Sequence, residues 1–278
     1  MYELLAVDVD GTLVRRGGGI DPRDRRAIAA LQARGVPVAL ATGRLYSGSV
    51  AVLDALCLRG PQVCVNGAEI VVHPEATELV HLGIVGEASA AVRSALGRHD
   101  FAVFALAEGH VVSDERGAMF EGYVRAWSHQ LDKVARSLDH PCWDTARGPL
   151  GVVAIGLTEP IVEATAELRR CAGLDVFRFD VSAHVGVSCI LLHAARVSKG
   201  TGLAWLAEHY GLSLDQVVAV GDWHNDLSMF AVAGRSFAMA GGPDEVGRAA
   251  TDRLTTPSTA GGGVAEAIQR AWPELQAD

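Results

Sequence analysis

Short apolar runs that stop at polar or glycine residues recur along the first part of the chain and predict buried strands. Three such runs lie at residues 2–9, 36–41 and 62–65. Between them, apolar positions at helical spacing predict two helices, one over residues 21–35 with an Asp-Pro start and a Gly stop, and one over residues 47–57. This alternation of strand and helix predicts a parallel, doubly wound sheet.

The same alternation returns near the end of the chain. A helix is predicted over residues 200–209, a strand over 216–220, a helix over 226–233 and a strand over 235–239. Both ends of the chain therefore contribute to one predicted α/β core.

The interval between Thr42 and Lys199 is much longer than the strands and helices of this core require, with roughly a hundred residues in surplus. Residues 83–189 mix helical and strand-like patterns and are predicted to form an inserted α+β domain. The core then consists of residues 1–82 and 190–278. The predicted fold class is α/β, a doubly wound, Rossmann-like parallel-sheet core with an inserted α+β cap domain.

Composition excludes several classes of protein. Of the 278 residues, 49% are hydrophobic and 21% charged, which is typical of a folded domain rather than a disordered chain. The apolar runs are strand-sized, and the N-terminus has neither the basic start nor the apolar segment of an export signal, so we expect no membrane partner and a cytoplasmic location. The formal charge of −9, without long basic runs, argues against a nucleic-acid partner.

The five cysteines indicate neither a disulfide framework nor a structural zinc site. Their number is odd and no Cys-x-x-Cys occurs. We expect reduced, mostly buried thiols.

Carboxylates gather at two predicted strand ends. Asp8 and Asp10 flank the end of the first strand, and Asp222, Asn225 and Asp226 follow a later one. Each group alone is equally compatible with turns and helix caps. Together, they form an oxygen-rich set that suits Mg²⁺ better than zinc or copper.

Parallel strands place their carboxyl ends at one edge of the sheet, where ligands bind. Asp8, Asp10, Thr42 and Asp222 are therefore expected to converge. Lys199 adds a compact positive charge in a sequence that otherwise uses Arg almost everywhere, since its only other lysine is Lys133.

Four ordered motifs span almost the whole chain. They are Asp8-Val9-Asp10-Gly11-Thr12, Thr42-Gly43-Arg44, Val197-Ser198-Lys199-Gly200 and Gly221-Asp222-x-x-Asn225-Asp226. In residues and order, this set resembles the haloacid dehalogenase (HAD) superfamily, in particular its Cof-type class IIB phosphatases, and Asn66-Gly67-Ala68 resembles a further Cof-like block. The predicted insertion lies where such phosphatases carry their cap.

The resemblance implies phosphate-ester hydrolysis through an aspartyl-phosphate. Asp8 would be the nucleophile, and Asp10 would protonate the leaving group and then activate water. Thr42 would hydrogen-bond the phosphoryl group, and Lys199 would offset its charge and that of Asp8.

The resemblance also implies a Mg²⁺ site. The ion would be held by the Asp8 carboxylate, the Asp10 backbone carbonyl and Asp222, while Asp226 would orient Lys199 or hold a metal-bound water.

Three further residues are candidates for phosphate binding, namely Gly43, Arg44 and Asn225. A helix cap at Asn225 and a solvated surface position for Arg44 remain equally compatible with the sequence.

We therefore expect a Mg²⁺-dependent phosphatase acting on a small-molecule phosphate ester, such as a sugar phosphate or pyridoxal phosphate, and working as a monomer or small homo-oligomer. A phosphomutase of the same superfamily and a non-catalytic, metabolite-binding regulator remain alternatives. A dehalogenase is disfavoured because it would need neither Asp10 nor the metal cluster.

Overall fold

The computed structural model describes residues 1–15, 18–125, 127–181 and 184–276, which form a five-stranded, a six-stranded and a three-stranded sheet. The strands are β1 (Leu4–Val7), β2 (Val38–Leu40), β3 (Gly60–Cys64), β4 (Glu69–His73), β5 (Thr77–His81), β6 (Ala102–Leu106), β7 (Val111–Ser113), β8 (Leu131–Lys133), β9 (Gly151–Leu157), β10 (Leu174–Asp180), β11 (Val187–Ala194), β12 (Val217–Gly221), β13 (Arg235–Ala240) and β14 (Asp252–Pro257). The α-helices are α1 (Pro22–Ala33), α2 (Tyr46–Ala55), α3 (Gly86–Gly97), α4 (Glu121–Val124), α5 (Thr158–Leu168), α6 (Lys199–His209), α7 (Leu227–Phe230), α8 (Asp244–Ala249) and α9 (Gly263–Ala271).

The five-stranded sheet has the order β14-β13-β12-β1-β2, and all its pairings are parallel. Val7 of β1 is in register with Val220 on one side and Leu40 on the other. Every residue of β1 is buried, as expected for a central strand covered on both faces. The predicted α/β class with a parallel sheet is confirmed, and β14, α8 and α9 extend the fold beyond the elements that the sequence predicted.

Residues 62–65 were expected to add a strand to this sheet, and this holds only in part: a strand forms beside the end of β2, but its regular ladder belongs to another sheet. They lie in β3, which pairs antiparallel with β4 in the three-stranded sheet β3-β4-β5. β3 contacts the end of β2 through an isolated parallel bridge between Ala41 and Val63 and a hydrogen bond at 2.9 Å from the Thr42 amide to the Val63 carbonyl. The Leu40 amide also donates to the side-chain oxygen of Gln62 at 2.8 Å. The Gln62 side chain thus supplements a short backbone contact that does not extend into a regular ladder.

The six-stranded sheet has the order β10-β11-β9-β6-β7-β8 and is antiparallel except for the parallel pair β7–β8. Helices α3 and α5 supply apolar side chains to the same core as one face of this sheet. Val92 and Ile161, on these two helices, are fully buried beside Val152 and Ile190 of the sheet. This part of the chain is the separate α+β layer that the sequence predicted.

The chain is divided into two compact units. Unit 1 comprises Met1–Gly43, Val50–Leu79 and Ser198–Asp278, and unit 2 comprises Arg44–Ser49 and Val80–Val197. In the part of the chain that the structure describes, no helix has the combination of length and apolar composition needed to cross a bilayer.

These units differ from the predicted boundaries at three places. The first predicted boundary, at 82/83, lies instead between Leu79 and Val80. The predicted change of domain at 189/190 falls inside β11, whose ladder with β9 and β10 assigns the whole strand to unit 2. The segment Arg44–Ser49 also belongs to unit 2, where the amide of Leu45 donates to the carbonyl of Trp127 at 3.0 Å. Local patterns do not reveal such long-range pairings.

Candidate active site

Two of the predicted carboxylates lie at the carboxyl edge of the parallel sheet. Asp8 directly follows β1, and its amide donates to the carbonyl of Val220 in β12 at 2.9 Å. Asp222 directly follows β12. Because β1 and β12 are parallel neighbours, Asp8 and Asp222 leave the sheet side by side.

A buried lysine joins this edge from the start of α6. Ser198 caps the helix, its hydroxyl accepting from the Thr201 amide at 3.1 Å, so that Lys199 is the first helical residue. The Lys199 side chain is 0% exposed. Its Nζ donates to Oδ1 of Asp8 at 2.5 Å and to Oδ1 of Asp226 at 2.6 Å.

Asp226 is fully engaged by its neighbours. While Oδ1 accepts from Lys199, Oδ2 accepts from the amides of Asp222 and Trp223 at 2.8 and 2.9 Å. Asp226 thereby fixes both the lysine and the backbone turn that carries Asp222.

The cluster carries excess negative charge. Oxygens of Asp8, Asp222 and Asp226 lie within 4.8 Å of one another, and all three residues are buried. Burial raises the pKa of Asp8 well above its ordinary value. Contact with Lys199 opposes this rise, and the charges of Asp226 and Asp222 add to it. Burial alone would lower the pKa of Lys199, but the attraction of Asp226 and Asp8 outweighs it and raises that pKa, so the lysine is charged.

Residues 11 and 12 support Asp222. The hydroxyl of Thr12 donates to Oδ1 of Asp222 at 3.2 Å. Gly11 has a φ of +90°, and a Cβ at this position would collide with Oδ2 of Asp222. Neither residue was among the predicted site residues, although both lie in the first motif beside Asp10.

A second polar group surrounds the end of β2. The Thr42 amide donates to the carbonyl of Val63 at 2.9 Å, and the Thr42 carbonyl accepts from the Asn66 amide at 2.8 Å. The Asn66 side-chain oxygen accepts from the amide of the Asn225 side chain at 3.0 Å. Asn66 has a left-handed φ of +52° and would lie against a side chain placed at Gly43. It was not among the predicted site residues; its presence in the Cof-like block was the available signal.

Two other predicted residues lie outside the carboxylate cluster. Asp10 is exposed in the turn after β1, where its backbone forms a bridge with Val14. Arg44 belongs to unit 2, and its guanidinium donates to the Gly48 carbonyl at 3.2 Å. The proposed roles of both side chains remain predictions.

Comparison with known families agrees with the four motifs. Residues 5–268 match the family model described as haloacid dehalogenase-like hydrolase. The chain belongs to this family. Among curated relatives of this HAD-like chain is a phosphoglycolate phosphatase of Natronomonas pharaonis, 31% identical over 98% of each protein. Another is 5-amino-6-(5-phospho-D-ribitylamino)uracil phosphatase YwtE of Bacillus subtilis, 26% identical over 96% of each.

Solved structures agree on the fold of the HAD-like chain. A haloacid dehalogenase-like hydrolase from Bacteroides thetaiotaomicron has a TM-score of 0.82 at 23% identity and covers 98% of this chain and 100% of its own. A HAD subclass IIB sugar phosphatase has a TM-score of 0.81 at 20% identity, with coverage of 97% and 99%. The predicted family and enzyme class are confirmed: the chain is a phosphatase of the HAD superfamily.

Proposed function

We propose that this phosphatase hydrolyses small phosphorylated metabolites by transferring the phosphoryl group first to Asp8 and then to water. The observation that carries the proposal is the buried Lys199 ammonium, which contacts both Asp8 and Asp226 beside Asp222. Such a contact orients the Asp8 carboxylate and offsets negative charge where a phosphoryl group would add more.

The proposed reaction has two displacements. A carboxylate oxygen of Asp8 attacks phosphorus, and the bond to the leaving oxygen breaks with its electron pair while Asp10 supplies a proton. Water then attacks the aspartyl-phosphate, Asp10 accepts a proton from it, and the bond between phosphorus and Asp8 breaks. Inorganic phosphate and the dephosphorylated metabolite are the products.

The buried charges fit a divalent cation. Three carboxylates and one ammonium leave a formal charge of −2, and burial makes this excess unfavourable. Hard oxygen donors favour Mg²⁺, which would be held by Asp8, Asp222 and the backbone carbonyl of Asp10. When bound, Mg²⁺ supplies charge neutralisation to the phosphoryl oxygens.

Thr42, Gly43 and Asn225 are proposed to bind the phosphoryl oxygens, and Arg44 to add positive charge. The hydrogen bond between Asn66 and Asn225 supports this proposal, because it links the end of β2 to the segment after β12.

The metal is tested by removal and replacement. A chelator should abolish turnover, and Mg²⁺ should restore it. Ca²⁺ should restore it poorly because its coordination is larger and looser. Full activity in excess chelator would contradict the metal proposal.

The substrate is tested with a panel of phosphate esters. Sugar phosphates and pyridoxal phosphate follow from the motif resemblance, and the names of the relatives add phosphoglycolate and the ribitylaminouracil phosphate. Release of inorganic phosphate identifies a hydrolase, an isomerised phosphate ester identifies a mutase, and binding without turnover identifies a regulator.

The nucleophile is tested by Asp8→Asn, with Asp244→Asn as the control at an exposed carboxylate of unit 1. Asp8→Asn should abolish turnover and acid-stable labelling of the protein by a radioactive phosphate ester, whereas Asp244→Asn should retain both. Activity above about a tenth of wild type in Asp8→Asn, a change in barrier of only ~1.4 kcal/mol, would refute the assignment.

Substrate preference is proposed to depend on unit 2, as the predicted cap domain at residues 83–189 implies. Thr42→Ala should lower kcat/KM for all esters by a similar factor, because it removes a contact to the shared phosphoryl group. Substitutions in unit 2 should instead change the order of preference among esters. A change in kcat/KM by the same factor for all esters in every unit 2 variant would contradict this proposal.

A further inference from the structure

Unit 2 contains a second cluster of metal-binding side chains, which the phosphatase reaction does not use. His110, Asp132 and His140 place ligand atoms within 4.8 Å of one another. The two imidazole rings meet edge to face with centroids 6.0 Å apart, and Nε2 of His140 lies 3.5 Å from Oδ2 of Asp132. Asp132 is about half exposed and His140 is 18% exposed, so an ion has access from solvent.

Ordered backbone holds two of these residues. His110 immediately precedes β7 and Asp132 lies in β8, and the two strands pair in parallel with Val112 opposite Asp132. The Val111 amide also donates to the Gln130 carbonyl at 2.9 Å. His110 and Asp132 are therefore carried by neighbouring strands.

A hydrogen-bond network fixes the segment before His140. The amide and the hydroxyl of Ser137 each donate to Oδ2 of Asp114 at 3.1 Å, and the indole of Trp143 donates to the Ser137 carbonyl at 2.9 Å. His140 lies between two 3₁₀ turns, Ser137–Asp139 and Pro141–Asp144. His140 is thus attached to the rest of unit 2 independently of β7 and β8.

The imidazole of His110 is held by the backbone through one ring nitrogen. Its Nδ1 lies 2.9 Å from the carbonyl of Glu108, and a carbonyl can only accept, so Nδ1 carries the proton. Nε2 therefore keeps its lone pair. A backbone carbonyl that fixes the outer ring nitrogen in this way is a common feature of metal-bound histidine.

We propose that His110, Asp132 and His140 form a Zn²⁺ site. Two imidazoles and one carboxylate suit zinc, whereas Mg²⁺ prefers oxygen ligands throughout. Zinc ligands in a tetrahedron lie about 3.3–3.5 Å apart, which matches the distance between Nε2 of His140 and Oδ2 of Asp132. The ligand atoms of all three residues lie within 4.8 Å of one another, so a small inward movement of the side chains would complete the site. Water would take the fourth position.

Binding changes the position of one proton. The Cys142 amide donates to Nδ1 of His140 at 3.2 Å, so the neutral ring carries its proton on Nε2. Coordination through Nε2 moves that proton to Nδ1 and exchanges the amide hydrogen bond for a zinc–nitrogen bond. The bound ion would tie the edge strand β8 to the 3₁₀ segment and stabilise unit 2.

The test is Zn²⁺ titration of the full-length protein in a Cys57→Ser background, which removes an exposed thiol, with excess Mg²⁺ present to compete at carboxylate sites. We expect one Zn²⁺ per chain that Mg²⁺ does not displace, and a rise in Tm. His110→Ala and His140→Ala should each weaken binding by at least about a hundredfold, since even outer partners of zinc ligands contribute 10- to 100-fold. The exposed His129→Ala is the matched control and should bind as the background does.

Co²⁺ in place of Zn²⁺ tests the ligand types by absorption. Visible bands of a four-coordinate nitrogen and oxygen site, without a sulfur charge-transfer band, support the assignment. A sulfur band that Cys142→Ser removes would overturn it, as would unchanged Zn²⁺ binding in the double variant His110→Ala/His140→Ala. His110→Gln and Asp132→Asn, compared with the background by circular dichroism without metal, separate loss of binding from loss of folding.

Discussion

Lys199→Met is the substitution that most directly tests the buried charge cluster. Methionine resembles the aliphatic stem of lysine in length and apolar character, so the substitution removes the ammonium with little change in volume. Asp8 and Asp226 then lose the cation that contacts both of them. Because the Lys199 side chain is 0% exposed, water does not replace it.

The expected loss of stability follows from burial. Removing one partner of a buried ion pair costs about 3–5 kcal/mol, because it leaves an uncompensated charge. For a protein of this size, this corresponds to a decrease in Tm of roughly 6–20 °C. The raised pKa of Lys199 keeps it protonated, so its stabilising effect is present below the ordinary lysine pKa of about 10.4 and is lost only as pH rises through the folded-state pKa.

The assay is urea unfolding in chelator near neutral pH, followed by fluorescence and circular dichroism. Lys133→Met is the matched control, because the other lysine of the chain pairs with Glu121 at the surface and its loss should leave stability near that of wild type. Mg²⁺ should restore part of the loss in Lys199→Met, and kcat should still fall about 10²- to 10³-fold. A change in unfolding free energy below about 1 kcal/mol in chelator would refute the charge argument.

Three further outcomes are expected. Gly11→Ala should destabilise the protein in thermal unfolding by clearly more than Gly35→Ala, because both positions have positive φ but only Gly11 faces a side chain, that of Asp222. Backbone strain at positive φ alone costs about 1–2 kcal/mol, so equal losses of stability in the two variants would contradict the collision. In chelator, wild type should lose stability relative to Asp8→Asn as pH rises above about 4, because the raised pKa of Asp8 keeps a proton on the folded protein that the unfolded chain has released. Urea unfolding measured over a range of pH should show this trend, and excess Mg²⁺ should abolish it. Burial lowers the pKa of His193 to about 4, so as pH falls the unfolded chain takes up a proton before the folded protein does, and the unfolding free energy of unit 2 should decrease by about 2 kcal/mol between about pH 7 and 5. His193→Asn should remove this decrease from the measured pH dependence, and an unchanged slope would contradict the argument.

Much of the core could be predicted because local patterns determine it. The apolar run before Asp8 becomes β1, and the Asp-Pro start at residues 21–22 becomes the cap and first residue of α1, with the Asp21 side chain accepting from the Arg23 amide. Parallel order then places Asp8 and Asp222 on neighbouring strands. The scarcity of lysine in the sequence also indicated a specific role for Lys199.

Other features depend on contacts that no local pattern contains. The buried Gln62 side chain hydrogen-bonds the Leu40 amide, which lets β3 lie beside β2 while pairing with β4. The left-handed conformation of Val65 and Asn66 reverses the chain there, although a β-branched valine disfavours it. The position of the domain boundary after β11 depends on the pairing of this strand with β10 and β9. Each of these features is selected by tertiary packing rather than by propensity.

Asp226 determines how the buried charges of the proposed site are shared. Its Oδ1 accepts from Lys199, and its Oδ2 accepts from the amides of Asp222 and Trp223, so both oxygens are already engaged. Of the three clustered carboxylates, Asp8 and Asp222 are therefore the two that would hold the proposed cation. Mg²⁺ in proteins is commonly held by one or two carboxylates, so Asp8 and Asp222 would suffice for the proposed ion. Asp226 would then contribute by holding Lys199 and the backbone turn of Asp222, which would leave the proposed ion able to orient a substrate oxygen.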